Sequence, residues 1–183
     1  MDERIKVEIV DGVADVRMVR ADKMNALDEA MFAALIDTGA RLAADRSLRA
    51  VVLSGEGRAF CAGLDTGNFA RLREGKPIGI GQTRRKLADR THGIAGRGQQ
   101  AVWTWRTMPV PVIAAVHGVA FGGGFQVALG ADMRYVAPGT RMAVMELKWG
   151  LVPDMAGMAI MRRLAREDIV RELIPAYVAA DFI

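Results

Sequence analysis

Three consecutive glycines, Gly122-Gly123-Gly124, stand between an apolar run and an apolar helical pattern, and this junction restricts the fold of the 183-residue chain more than any other feature. The run before it, Val112-Ile-Ala-Ala-Val116, is entered through Pro109 and Pro111 and reads as a buried strand. Behind the glycines, Phe125, Val127, Ala128 and Leu129 open a helix. Without a Cβ, glycine lets backbone amides approach a ligand closely. A helix starting there adds unpaired N–H groups and a dipole that favours negative charge. The chain has no GxxxxGK[ST] pattern, so the junction is not a phosphate loop. For the glycines taken alone, a tight turn without any ligand serves as well.

Elsewhere the pattern alternates between strands and helices. Ile5, Val7 and Ile9 alternate with polar residues, Asp11-Gly12 supplies a turn, and Ala14, Val16 and Met18 alternate again, which predicts a β-hairpin. Met31, Phe32, Leu35, Ile36 and Leu42 recur at helical spacing between Asp28 and Ala44, with Asp28 and Glu29 at the favourable end of the dipole. Residues 49–53 read as a strand bounded by Ser54-Gly55-Glu56-Gly57, residues 133–136 as another strand, Pro138-Gly139 as a turn, and residues 155–164 as an apolar helix. Residues 66–100 lose periodicity and collect glycines, so irregular backbone or short mobile helices covering a ligand site are expected there. Strands alternating with helices predict a layered α/β fold without internal repeat, and the length predicts one domain spanning residues 1–183.

Composition narrows the function. With 51% hydrophobic and 25% charged residues the chain is not disordered, and a core sufficient without disulfides or a structural metal is within reach. One cysteine, Cys61, and two histidines cannot supply a four-ligand zinc site, and a lone cysteine suits a reducing interior. No apolar run serves as a signal peptide or reaches the roughly 20 residues of a membrane span, so a cytoplasmic protein without membrane contact is expected. The net charge of +4 admits an anionic ligand, but the aromatic share of 6% and the scattered basic residues speak against nucleic acid. The one basic cluster, Arg84, Arg85, Lys86, Arg90 and Arg97, reads as a solvated face, with contact to ligand phosphates as the alternative.

Four ordered segments carry a resemblance. Lys23-Met24-Asn25-Ala26-Leu27-Asp28, then Gly57-Arg-Ala-Phe-Cys-Ala62-Gly63-Leu64-Asp65, then Pro111 to Gly118 with Gly122-Gly123-Gly124, and finally Met145-Glu146 with Gly150-Leu-Val-Pro153 resemble the enoyl-CoA hydratase/isomerase (crotonase) superfamily over residues 5 to about 174. The resemblance implies a crotonase-like α/β spiral of repeated ββα units. It also implies an acyl-CoA thioester substrate whose carbonyl sits in an oxyanion hole formed by the N–H groups of Leu64 and Gly123. Lys23, Met24 and Ala26, with Ala62, Gly63, Leu64 and Asp65 and the Gly122-Gly123 turn, would hold the coenzyme A portion through backbone groups. Coenzyme A enters as part of the substrate, and neither a metal nor a separate cofactor is implied. A homotrimer or hexamer is the assembly that the family suggests.

Proton transfer needs a positioned acid or base, and Glu146 is the candidate. Relatives that add water use a second glutamate where this chain has Gln126, and an amide does not exchange protons as a carboxylate does. Asp154 resembles the second acid of the dienoyl-CoA isomerases, although it could instead cap a helix beginning near Met155. A surface role for Glu146 is the lesser alternative. Three readings follow: a hydratase/isomerase-type enzyme, a double-bond isomerase using Glu146 and Asp154, and a binding module without turnover. Cys61, His92 and His117 are expected to be structural, and Trp103, Trp105 and Trp149 to pack, with Trp149 a possible wall of the acyl pocket. Family members are usually longer, so the chain is expected to lack their C-terminal helical region.

Overall fold

The computed structural model describes residues 3–67 and 90–180, with side chains as far as residue 173. Strands β1 (Ile5–Val10) and β2 (Val13–Met18) form an antiparallel hairpin with Val10 opposite Val13. Its turn has positive φ at both central residues, 50° at Asp11 and 77° at Gly12, the twist that a two-residue hairpin needs and that Asp-Gly tolerates. The inward alternation holds throughout β2, where Ala14, Val16 and Met18 are fully buried. It fades along β1, whose Ile9 and Val10 are exposed because β1 is the sheet edge.

From β2 the chain crosses through helix α1 (Glu29–Ala43) to β3 (Ala50–Gly55), which pairs parallel with β2. Asp28 caps α1 by accepting from the Met31 N–H at 2.8 Å and also takes a forked contact from Arg4. Met31, Phe32, Leu35, Ile36 and Leu42 face the core as the spacing requires. Complete burial of one such side chain contributes about 1.5–3 kcal/mol. Strand β4 (Val112–Val116) pairs parallel with β3, and β6 (Met133–Val136) with β4, giving the order β1-β2-β3-β4-β6. A second parallel pair, β5 (Val119–Phe121) and β7 (Arg141–Ala143), lies beyond the C-terminal ends of β4 and β6 in sequence. Four helices complete the described chain: α2 (Arg97–Arg106), α3 (Gly123–Gly130), α4 (Gly157–Leu164) and α5 (Glu167–Ala180).

The succession β1-β2-α1, β4-β5-α3 and β6-β7-α4 is the repeated ββα unit that the resemblance implies. Two expectations need correction. Residues 97–100, the end of the stretch expected to be irregular or to carry short mobile helices, are regular: they open the ten-residue α2, whose Ala101, Val102 and Trp105 are fully buried, with no acidic residue or aliphatic stripe to announce the helix. Nor is Asp154 a cap, since α4 begins at Gly157 and its N-cap is Ala156, which makes no side-chain cap bond. Arg84, Arg85 and Lys86, and residues 68–89 generally, lie outside the described residues. Among the described residues no helix is long and apolar enough to cross a membrane.

Candidate active site

The segment after β3 and the turn before α3 are brought together by backbone bonding. Phe60 N–H donates to His117 O and Cys61 N–H to Val119 O, while Phe121 N–H returns to Cys61 O, so residues 60–61 lie alongside β5. On their other side Leu27 N–H donates to Gly63 O and Asp65 N–H to Leu27 O. In a parallel bridge of this kind Leu27 uses both of its groups, and those of Leu64 point the opposite way. Gly63 has φ +87°, and a Cβ there would stand 2.5 Å from Phe121 O and 3.5 Å from the Gly123 nitrogen, so only glycine lets the two segments close. Gly123 is the first residue of α3, where an N–H has no intrahelical acceptor.

Beneath this junction Asn25 ties the preceding loop in place. It is fully buried with φ 55°, accepts from Arg20 N–H and donates to the carbonyls of Glu56 and Ala59 at 3.0 and 2.9 Å. Asn tolerates the left-handed conformation better than most residues, a signal that the sequence carried unread. Arg20 bridges the Ala26 carbonyl and the Asp65 carboxylate, so Asp65 is engaged within the loop. The Met24 carbonyl accepts from Ala62 N–H, and Lys23 is exposed. Burial pushes the Cys61 thiol up to about 12, and its Sγ donates to the Asn25 carbonyl, as befits a structural residue. His117 bonds the Gly57 carbonyl and His92 the Thr91 hydroxyl.

Glu146 opens the short turn Glu146–Trp149 and is buried, 9% exposed, which removes the surface reading. Gln126, one turn into α3 and 1% exposed, donates from Nε2 to Glu146 Oε1 at 2.6 Å. Its own Oε1 accepts from Gly157 N–H at 2.8 Å. Glu146 Oε2 has no partner among the described residues. Burial pushes the Glu146 carboxyl above its ordinary range; backbone bonds and Gln126 pull it back, and the negative charge of Asp154 adds to the rise. Burial likewise raises Asp154.

These residues share a cavity of about 260 Å³. Leu64, Gly123, Glu146 and Asp154 all line it, as do Ala62, Gly63, Gly122 and Gln126. Phe32, Met155, Leu151 and Trp149 make most of the remaining wall apolar, so Trp149, expected as a wall, is one, while Trp105 packs in the core. Lys23, Met24, Ala26 and Asp65 lie outside the lining. Phe32 and Met155 were invisible as site residues because helical spacing marks both simply as core. Among the described residues no group of three or more His, Cys, Asp or Glu is placed to hold a metal ion.

Comparison with known proteins identifies the family and the fold. The family model described as Enoyl-CoA hydratase/isomerase matches residues 8–176. The hydroxycinnamoyl-CoA hydratase-lyase of Pseudomonas fluorescens is 30% identical over 81% of this chain and 51% of its own length. The human mitochondrial Delta(3,5)-Delta(2,4)-dienoyl-CoA isomerase is 30% identical over 88% of this chain and 48% of its own. A solved Streptomyces coelicolor A3(2) structure assigned to the enoyl-CoA hydratases superposes with a TM-score of 0.81 at 38% identity, covering 94% of this chain and 59% of that one. The chain thus spans about half the length of the curated relatives it matches. Its fold is the crotonase fold, and the chain belongs to the enoyl-CoA hydratase/isomerase family.

Proposed function

We propose that this chain binds an unsaturated acyl-CoA thioester in the cavity and moves its double bond, with Glu146 as the proton carrier. The observation that carries the reading is the pairing of two cavity carboxyls, Glu146 and Asp154, with an amide where a second glutamate would stand. The thioester oxygen accepts from the N–H groups of Leu64 and Gly123. The Glu146 carboxylate removes a proton from the carbon next to the thioester, the electron pair spreads into the thioester oxygen, and a proton returns at the far end of the allylic system. Asp154, whose carboxyl burial raises above its ordinary range, supplies that proton. Two carboxyls that share one cavity and are both raised by burial suit this division of labour. Loss of one fixed oxyanion donor typically costs roughly 10²–10³ in rate. Coenzyme A is part of the substrate, its chain passing along residues 23–26 and 62–65, and no separate cofactor takes part. Association into a trimer or hexamer, which the family suggests, belongs to the same proposal.

Gln126 argues against water addition as the main outcome. Its oxygen is occupied by Gly157 and its nitrogen is a donor only, so it cannot deprotonate a water. The test is incubation with matched 2-enoyl-CoA and 3-enoyl-CoA, followed by separation of products. Interconversion of the two is the expected result. Formation of the 3-hydroxyacyl thioester instead contradicts isomerisation, and binding of both without change reduces the chain to a binding module.

A further inference from the structure

We infer that Gln126 is a positioning residue that confines the transferable proton of the catalytic carboxyl to a single oxygen, Glu146 Oε2. The inference rests on the proposed role of Glu146 as proton carrier, but its geometry is independent of that role.

The orientation of the Gln126 amide follows from its neighbours. Gly157 N–H, at the start of α4, can only donate, and it lies 2.8 Å from one end of the amide, so that end is Oε1. The other end is therefore the NH₂, a donor without acceptor capacity, and it meets Glu146 Oε1 at 2.6 Å. Oε1 consequently accepts whether Glu146 is ionised or neutral, because a proton on it would face the amide hydrogen. The proton of the neutral acid goes to Oε2, the atom with no partner among the described residues, on a side chain that lines the cavity. In turnover the new O–H bond forms at Oε2 as the substrate C–H bond breaks, leaving the electron pair in the substrate; Asp154 gives its own proton to the far carbon, and the Oε2–H bond then breaks as that proton passes by way of solvent to the Asp154 carboxylate. Gln126 lines the same cavity, but both ends of its amide are bonded within the protein. It acts through Glu146, and it links the turn that begins at Glu146 to the first residue of α4.

The test is infrared difference spectroscopy of the full chain against Glu146→Gln, which isolates the carbonyl stretch of protonated Glu146 without any substrate. A carbonyl that accepts from the amide absorbs at lower frequency than a free one. The expected wild-type spectrum shows a single lowered band. In Gln126→Met that band moves up, the Glu146 titration midpoint rises, and kcat for double-bond migration falls about ten- to a hundredfold while KM changes less than about twofold. Should Gln126→Met fail to fold by circular dichroism, the wild-type side-chain amide resonances of Gln126 are followed by nitrogen NMR, and they are expected to titrate with the Glu146 midpoint. A wild-type band at the free-carbonyl frequency, an unmoved band in folded Gln126→Met, or amide resonances indifferent to the Glu146 titration overturns the inference. If the lowered band is present but deuterium exchange does not depend on Glu146, the isomerase reading falls and the positioning role with it. If exchange depends on Glu146 but the carbonyl is free, the positioning role falls alone.

Discussion

Gln126 Nε2 sits 2.6 Å from Glu146 Oε1, while Glu146 Oε2 is buried without a partner among the described residues. A carboxyl held in this way is costly to ionise, and it lines the cavity with an acceptor left over. Stability and chemistry therefore pull on the same side chain in opposite directions.

The first consequence concerns stability against pH. The Glu146 carboxyl is raised in the folded chain from its ordinary 4.5, so the stability tied to its neutral form is complete below about 4.5 and is lost as pH rises through the folded value. Glu146→Gln keeps the bond from Gln126 and removes the buried charge. Calorimetry at neutral pH is expected to show a higher Tm for the variant, by about 2–4 °C for each kcal/mol released. The difference should close as the pH falls below about 4.5. Equal Tm values at all pH values would mean that Glu146 is well solvated.

Asp154 acts on Glu146 through its charge, one of the causes that raise the Glu146 carboxyl. Asp154→Asn removes that charge, so Glu146 should ionise at lower pH. The acid limb of the pH–rate profile is expected to move to lower pH even as the maximal rate drops, by roughly 10²–10⁴ if Asp154 returns the proton. A slower enzyme with an unmoved limb would assign Asp154 to proton return without electrostatic coupling.

Gly63 sets the spacing between the loop that carries Leu64 and the start of α3. In Gly63→Ala the new methyl would meet Phe121 O at 2.5 Å in a left-handed backbone conformation. Strain of this type costs about 1–3 kcal/mol, and the forced separation pushes Leu64 and Gly123 apart. Denaturant titration should report the loss of stability, and acyl-CoA turnover should fall by more than the folded fraction does. Unchanged turnover would remove the shared oxyanion role of the two amides.

Asn25 holds the loop from below with three hydrogen bonds from a fully buried side chain. Asn25→Ala leaves the Arg20 N–H and the carbonyls of Glu56 and Ala59 short of a partner. With each such loss costing about 1–3 kcal/mol, a total near 3 kcal/mol or more is expected. The check is a urea midpoint, which should fall without a change in slope.

What the sequence made legible was whatever repeats or punctuates. The period of two in β2, the period of 3.6 in α1, the Asp11-Gly12 turn and the glycine junction before α3 are each written locally, and each forms as read. Helix α2 was not legible, because Gln99, Gln100 and Thr104 dilute its apolar face and it is held by packing around Trp105. The three-residue strands β5 and β7 are held by one another and by the bonds that Cys61 makes to Val119 and Phe121, a tertiary fact with no local signature. At the site, Glu146 and Gln126 were recognisable by motif position, but the clamp from Gly157 was not. A backbone N–H has no side-chain identity to read, and the left-handed Ala156 before it gives no compositional hint.

The most direct measurement is mass spectrometry of 2-enoyl-CoA and 3-enoyl-CoA after incubation with the chain in heavy water, with Glu146→Gln run in parallel. Deuterium uptake accompanied by double-bond migration, lost by at least about a hundredfold in Glu146→Gln, is the result expected if Glu146 carries the proton. Deuterium uptake at the same rate in Glu146→Gln would contradict the central assignment.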